Sequence, residues 1–309
     1  TMGELLVEVM RPRRGMSLAE AGEFCGPFPS GATGIFIDAV ARLGHSAAVV
    51  SGVGDDDFGR CLLERFRRDG VDSARVLVVP GKATGVAFVT YFADGSRRFL
   101  YHWDHTPAVM ARAPKLAEIG GARFLHVMGC ALMPNAWFRA EVFKAVRRFR
   151  RAGARISFDP NVRVELLSGR KLGGLLGPVL DCCSVLLPGE RELALLAGVE
   201  DVDAAAARLL ARPPMQIIVV KRGSRGCTVY SKGSRIDVAP YRVQEVDPTG
   251  AGDCFDAGFL CGLLEELPLE ECARNASAAG ALNAAAFGPM EGDISPQSLR
   301  ALRAAQDRR

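Results

Sequence analysis

Short apolar runs alternating with helix-length amphipathic segments set the architecture of this chain. Ala47 to Val50, Phe124 to Val127, Arg155 to Phe158, Ser184 to Leu187 and Ile217 to Lys221 are too short for helices and carry little polar alternation. That is the pattern of strands buried on both faces. Between them run segments with helical periodicity, such as Phe58 to Asp69 and Ala136 to Ala152. Strand and helix in alternation predict an α/β fold built on a doubly wound, mostly parallel sheet flanked by helices, with ligands beyond the carboxyl ends of the strands. Its 309 residues suit one such domain, spanning 1–309, with a small appendage.

Two stretches, roughly residues 8–30 and 82–103, break the alternation: they are punctuated by Gly and Pro and have no intervening helices. Val86 to Tyr91, the turn Ala93-Asp94-Gly95-Ser96 and Arg97 to Tyr101 read as a hairpin. We expect both stretches to form a small antiparallel sheet that covers the site as a lid.

The net charge of +4 comes from 39 basic against 35 acidic residues, and the basic residues fall in short helical clusters such as Arg147, Arg148, Arg150 and Arg151. No aromatic residues are interleaved to stack on bases, so these read as solvated helix faces and predict no nucleic-acid partner. The nine cysteines show no Cys-x-x-Cys spacing, and Cys182 and Cys183 are adjacent, which suits reduced thiols in a cytoplasmic protein. No apolar run approaches the ~20 residues of a membrane span, and the N-terminus lacks a signal pattern. The chain starts in mid-strand pattern at Thr1, so a few upstream residues are expected.

The most informative segment is Val246-Asp247-Pro248-Thr249-Gly250-Ala251-Gly252-Asp253-Cys254-Phe255, followed by the helical run Asp256 to Leu267. Gly250 and Gly252 let a backbone approach a ligand closely, and the open N–H groups of a first helical turn favour negative charge. Gly250, Ala251 and Gly252 thus form an anion hole suited to a transferring phosphoryl group. Asp253 at its edge could take the proton of an attacking hydroxyl; Asp is equally a favoured helix cap, so the residues alone leave both roles open.

This segment resembles the C-terminal signature of the ribokinase-like (PfkB) carbohydrate kinases, and further segments match in the family's order along nearly the whole chain. Ala41-Arg42-Leu43-Gly44, Val53-Gly54-Asp55-Asp56-Asp57-Phe58-Gly59 and Asp69-Gly70-Val71-Asp72 are similar to the family's N-terminal signature and first turn. Ser157-Phe158-Asp159-Pro160-Asn161-Val162-Arg163 resembles its Asp-Pro-Asn-x-Arg turn, which implies substrate contacts for Asp159 and Asn161 and a phosphate-neutralising guanidinium at Arg163; as bare sequence it is also good turn chemistry. Lys221-Arg222-Gly223-Ser224-Arg225-Gly226 resembles the nucleotide loop, implying that Lys221, Gly223, Ser224 and Gly226 meet ATP, or else form a tight turn between strands. Asn283 would border the adenine. Asp247 and Thr249 would lie at a monovalent cation, potassium, and Glu192 would handle magnesium and phosphate, or else simply favour its helix start. Magnesium is expected to enter with ATP. The resemblance also implies a homodimer through the lids.

The chain departs from the family at three places. Ile35 stands where an Asn touches sugar hydroxyls, so contacts from Gly31, Ala32, Thr33 and Gly34 must differ; Gly189 replaces the Asn of the Asn-x-x-Glu motif; and Glu8 replaces a sugar-binding Asp. Gly26 to Asp38 resembles tagatose-kinase-like sequences, while Gly288-Pro289-Met290-Glu291-Gly292 is similar to 2-keto-3-deoxygluconate kinases. Those acid-sugar kinases carry Tyr-Tyr-Arg where this chain has Tyr101-His102-Trp103, so a neutral ketohexose phosphorylated at its terminal C-6 hydroxyl is favoured, with Tyr101 and Trp103 contacting it. Trp103 also suits a lid core. A nucleoside kinase would need an aromatic clamp, for which the lid offers Tyr91, Phe92, Tyr101 and Trp103. A sugar-binding regulator without turnover is a further alternative, opposed by the intact Asp253.

Overall fold

Ile217 and Val219 turn to one side of their strand and Ile218 and Val220 to the other, and all four are buried, in two separate cores. The two-residue period that polar alternation usually reveals is present here but hidden, because helices cover both faces of the sheet. The computed structural model describes every residue except 93, 95, 168–170 and 307–309.

The lid strands β1 (Leu6–Met10) and β2 (Cys25–Ser30) lead into α1 (Ala32–Arg42), followed by β3 (Ala48–Gly54), α2 (Asp57–Asp69) and β4 (Asp72–Val79). After β5 (Gly85–Tyr91) and β6 (Arg97–His102) the main α/β pattern runs through β7 (Phe124–Met128), α3 (Ala136–Arg151), β8 (Arg155–Asp159), α4 (Val164–Leu167), α5 (Leu172–Leu180), β9 (Val185–Leu186), α6 (Glu190–Ala197), α7 (Val202–Leu210) and β10 (Ile217–Lys221). The chain closes with β11 (Cys227–Ser231), β12 (Ser234–Val238), α8 (Ala251–Leu264), α9 (Leu269–Ala284) and α10 (Pro296–Gln306).

Six strands form the main sheet in the order β12-β11-β10-β9-β8-β7, parallel from β7 to β10 and antiparallel at β11 and β12. β3 and β4 pair in parallel, and Met2 bridges to Val50 beside them. One core lies under α1, α2, α8, α9 and α10, and the other under α3, α5, α6 and α7. This is the doubly wound α/β arrangement with a small lid sheet.

The lid sheet has the order β2-β1-β5-β6. It is mixed rather than antiparallel, because β1 and β5 come from distant parts of the chain and run parallel, whereas β2 and β6 fold back against them. Two residues of the turn expected at Ala93-Asp94-Gly95-Ser96 lie outside the described residues, but β5 and β6 pair in the expected register, from Val86 opposite His102 to Tyr91 opposite Arg97. Arg65 anchors the floor: buried, it pairs with Asp38 of α1 at 3.3 Å and with Glu291 at 3.0 Å, while Arg42 donates to the carbonyls of Met290 (2.9 Å) and Gly292 (2.6 Å). The 288–292 loop is thereby pinned to α1 and α2.

Candidate active site

The carboxyl ends of β8 and β10, the N-termini of α1 and α8 and the inner face of the lid enclose a cavity of about 230 Å³. Gly250 opens α8 in the left-handed conformation, with φ at 78°, and no side chain caps the helix. A Cβ on Gly250 would stand 2.3 Å from the Pro289 carbonyl, so no other residue fits this turn. With no cap, the Gly252 and Asp253 amides of the first turn stay open toward the cavity, a site for an anion. Asn283 fixes the turn from below, its Nδ2 donating to the carbonyls of Thr249 (2.8 Å) and Pro289 (3.0 Å). Both amide hydrogens are committed to the backbone of the anion hole, Oδ1 is buried without a hydrogen-bond partner, and Asn283 is not among the residues that line the cavity.

Asp253 sits on this first turn, buried, and its Oδ1 accepts from Asn161 Nδ2 at 3.3 Å. Burial, reinforced by the neighbouring Asp159 charge, pushes its pKa up to about 7 against the opposing pull of Arg163 and Lys221. The carboxyl can therefore both take and release a proton near neutrality. Asn161 holds a positive φ of 37°, tolerable for Asn, and its own N–H closes a turn onto Asp159 Oδ1 at 3.0 Å. Arg163 projects from the same turn into the cavity, its guanidinium 6.0 Å from the centre of the Phe99 ring.

At the opposite end stand two acids of the first strand region, Glu4 and Glu8. Glu4 accepts from the Ala32 N–H at 3.1 Å and the Thr33 hydroxyl at 3.3 Å, supplying the cap that Gly31 cannot. Glu8 Oε1 accepts from Ser30 Oγ at 2.7 Å, while its Oε2 is buried without a hydrogen-bond partner. Burial pushes the Glu8 carboxyl up to about 7 despite the Ser30 bond. Glu192 crosslinks the site, accepting from the Val162 N–H at 2.7 Å and the Gly189 N–H at 2.8 Å. The residue that replaced the expected Asn thus contributes through its backbone.

The structure brings Glu8, Gly31, Ala32, Tyr101, Trp103, Asp159, Asn161, Arg163, Gly250, Gly252 and Asp253 around one cavity, together with Glu192. Thr33 and Gly34 lie outside it: Thr33 is buried against Glu4, and a side chain on Gly34 would meet Leu5 and Met290. Trp103 belongs to both the cavity wall and a core. Gly223, Ser224 and Gly226 form the turn beyond β10, where Gly226 has φ at 84° and a Cβ would strike the Val238 carbonyl at 2.1 Å. Lys221 parts from that loop; its ammonium points into the cavity floor. Asp247 and Thr249 meet the Tyr91 hydroxyl beneath the anion hole, and Asp247 also accepts from the Gly288 N–H at 3.1 Å. Sequence reasoning missed Glu4, Arg97 and Phe99, which line the cavity. Glu4 had one signal, its even spacing from Glu8 in the segment that leads into β1.

A model of the "pfkB family carbohydrate kinase" matches residues 29–295. The chain belongs to this family. This carbohydrate kinase is similar to Fructokinase-1 of Oryza sativa subsp. japonica, 34% identical over 93% of this chain and 92% of the relative. It is 32% identical to a probable fructokinase-4 of Arabidopsis thaliana, over 97% of this chain and 95% of that one. Among solved structures, an E. coli protein provisionally assigned as a ribokinase II, in complex with ATP and Mg2+, superimposes with a TM-score of 0.92 at 35% identity, covering 99% of this kinase and 98% of that chain. Among the described residues of the kinase no helix is long and apolar enough to cross a membrane.

Proposed function

We propose that this carbohydrate kinase transfers the γ-phosphoryl group of ATP to the terminal C-6 hydroxyl of a neutral ketohexose such as fructose or tagatose, with Asp253 as base. The observation that carries the reading is the placement of Asp253: a buried carboxyl with a pKa near neutrality, on the same helical turn as open amides, facing a cavity lined by residues with unfilled acceptors. Glu8 Oε2 and Asn161 Oδ1 are both buried and unpartnered among the described residues, and buried acceptors of this kind fit the hydroxyl donors of a sugar. The names of the fructokinase relatives support the neutral ketose.

The residues fit a nucleotide triphosphate. The uncapped N-terminus of α8 and the side-chain-free Gly252 offer N–H groups to a phosphoryl group, and the turn at Gly223 and Gly226 opens the way beyond β10. ATP with magnesium supplies the transferable group and clamps its charge. Among the described residues no three acidic, His or Cys side chains are grouped to hold a metal ion, which fits a magnesium carried in by the phosphates, with Glu192 at the cavity edge. Asn161 holds the Asp253 carboxylate in line; Asp253 takes the hydroxyl proton as the sugar oxygen attacks; Arg163 faces the charge that develops. Potassium would be held by the backbone around Asp247 and Thr249, whose side chains with Tyr91 shape that turn. Exposed Phe24 and Leu100 on the outer face of the lid support a homodimer.

A second reading rests on Arg97, which reaches the cavity from β6 and supplies a cation that the sequence at Trp103 lacks. With Arg163 it could meet the carboxylate of 2-keto-3-deoxygluconate. ATP consumption over fructose, tagatose, 2-keto-3-deoxygluconate and adenosine, with magnesium and either potassium or tetramethylammonium, compares these readings against Asp253→Asn. One neutral ketose turned over, and lost by orders of magnitude in the variant, is expected. Preference for the acid sugar installs the second reading. Equal rates in the two monovalent cations remove potassium, and sugar binding without turnover leaves only a binding protein.

A further inference from the structure

The Lys221 ammonium sits where the strand β10 ends and the site begins. Its Nζ donates to Asp159 Oδ2 at 2.8 Å and to the Asp256 carboxylate at 3.1 and 3.2 Å. A Cβ placed on Gly252 would lie 3.8 Å from this Nζ, so the ammonium is next to the open amides of α8, and it forms part of the cavity wall. A lysine ammonium has three N–H donors in tetrahedral array. With one N–H on Asp159 and one shared between the two oxygens of Asp256, the third is left for the cavity that Lys221 lines. The other titratable groups around it are Asp253, Glu192 at the cavity edge and His126, whose Nε2 is 3.9 Å from Asp256 Oδ2 and whose Nδ1 meets Ser157 Oγ at 3.0 Å. Burial keeps His126 neutral, and Asp256, enclosed on all sides, has its carboxyl raised well above the ordinary range by burial. Lys221 is thus held between Asp159 and Asp256, and its outward N–H is available to an incoming anion.

We propose that Lys221 is a catalytic residue for phosphoryl transfer, its third N–H donating to a non-bridging oxygen of the migrating phosphoryl group beside the Gly252 amide. Asp256 and Asp159 are the positioning residues that aim it. The reading rests on the kinase function proposed above. In the step, the bond from the γ-phosphorus to the nucleotide's bridging oxygen breaks, the bond to the sugar oxygen forms, and the hydroxyl proton passes to Asp253. Lys221 keeps its protons throughout and acts by charge and hydrogen bonding alone.

The test compares wild type, K221M and the double variant K221M/D256N under saturating sugar and ATP. The amide introduced at position 256 can donate to Asp159, so the double variant relieves the uncompensated acids that K221M leaves behind. A single preorganised donor is worth about 10²- to 10³-fold in kcat. We expect a loss of that size in K221M, a smaller change in both KM values, and recovery of the thermal midpoint but not of kcat in the double variant. Should K221M fail to fold, the double variant carries the test alone. Recovery of kcat with stability, or a loss below tenfold, would overturn the proposal and make Lys221 a counter-ion only. A wild type that phosphorylates nothing overturns the kinase reading and this proposal together.

Discussion

Replacing Asp253 by Asn should destroy turnover while making the protein more stable, and the size of that gain can be worked from the site. The carboxyl is buried beside Asp159, which lifts its pKa from the ordinary 3.8 to about 7. A rise of that size corresponds to about 4 kcal/mol. Because the folded state binds this proton more tightly than the unfolded chain, the penalty is absent below the unfolded value, grows as pH rises from about 4 to 7 and is complete above it. Asn keeps the oxygen that accepts from Asn161 and carries no charge to bury. At an unfolding entropy of ~2.1 cal/mol/K per residue, a chain of 309 residues gains about 1.5 °C per kcal/mol, so the variant should melt about 6 °C higher at pH 8. The gain should shrink to nothing near pH 4. Calorimetric or fluorescence melts of both proteins between pH 4 and 8.5, with kcat measured alongside, provide the check. A plain helix cap behaves differently, since Asn caps as well as Asp and the exchange would be neutral at every pH. A pH-independent difference in midpoint, or a variant retaining more than a few per cent of kcat, would refute the assignment of Asp253 as a strained base.

Glu8→Ala should raise the KM for sugar by tenfold to a hundredfold, the worth of a hydrogen bond to a charged acceptor at about 1.5–3 kcal/mol, with the KM for ATP unchanged; steady-state kinetics with each substrate varied in turn reads this directly. Asn283→Ala removes two buried hydrogen bonds to the turn that carries the anion hole. It should cost about 2 kcal/mol and lower kcat more than sugar affinity, which a melt and a KM-against-kcat comparison would show.

Most of the fold was legible because a parallel sheet writes itself as unbroken apolar runs, and the runs ending at Phe158, Leu187 and Lys221 are strands that lead into the site. The anion hole was legible because its turn needs glycine at Gly250, where φ is 78° and a Cβ would strike the Pro289 carbonyl. What stayed hidden was the direction of side chains at the edges of these elements. Asn283 looked like a polar group at a ligand, but its position inside α9 aims it at backbone carbonyls. In sequence Lys221 groups with the glycine-rich loop that follows it, but as the last residue of β10 it obeys the strand's alternation into the cavity. Glu4 looked unremarkable because the helix it caps begins twenty-eight residues later, at Ala32. Arg97 belongs to no motif of the sequence, and only the pairing of β5 with β6 brings it to the same cavity as Tyr101.

The first lid strand has a consequence for how sugar preference can change. Leu6 and Glu8 of β1, with Glu4 just before it, line the ligand space, whereas the intervening Leu5 and Val7 are fully buried in the core. The main-chain pairing of β1 with β2 and β5 is indifferent to side-chain identity, so the three odd-one-out positions can be exchanged without disturbing register, while an insertion or deletion of one residue would turn the core residues into the cavity and the acids into the core. Specificity in this enzyme is therefore free to drift by substitution along one strand and barred from drifting by length.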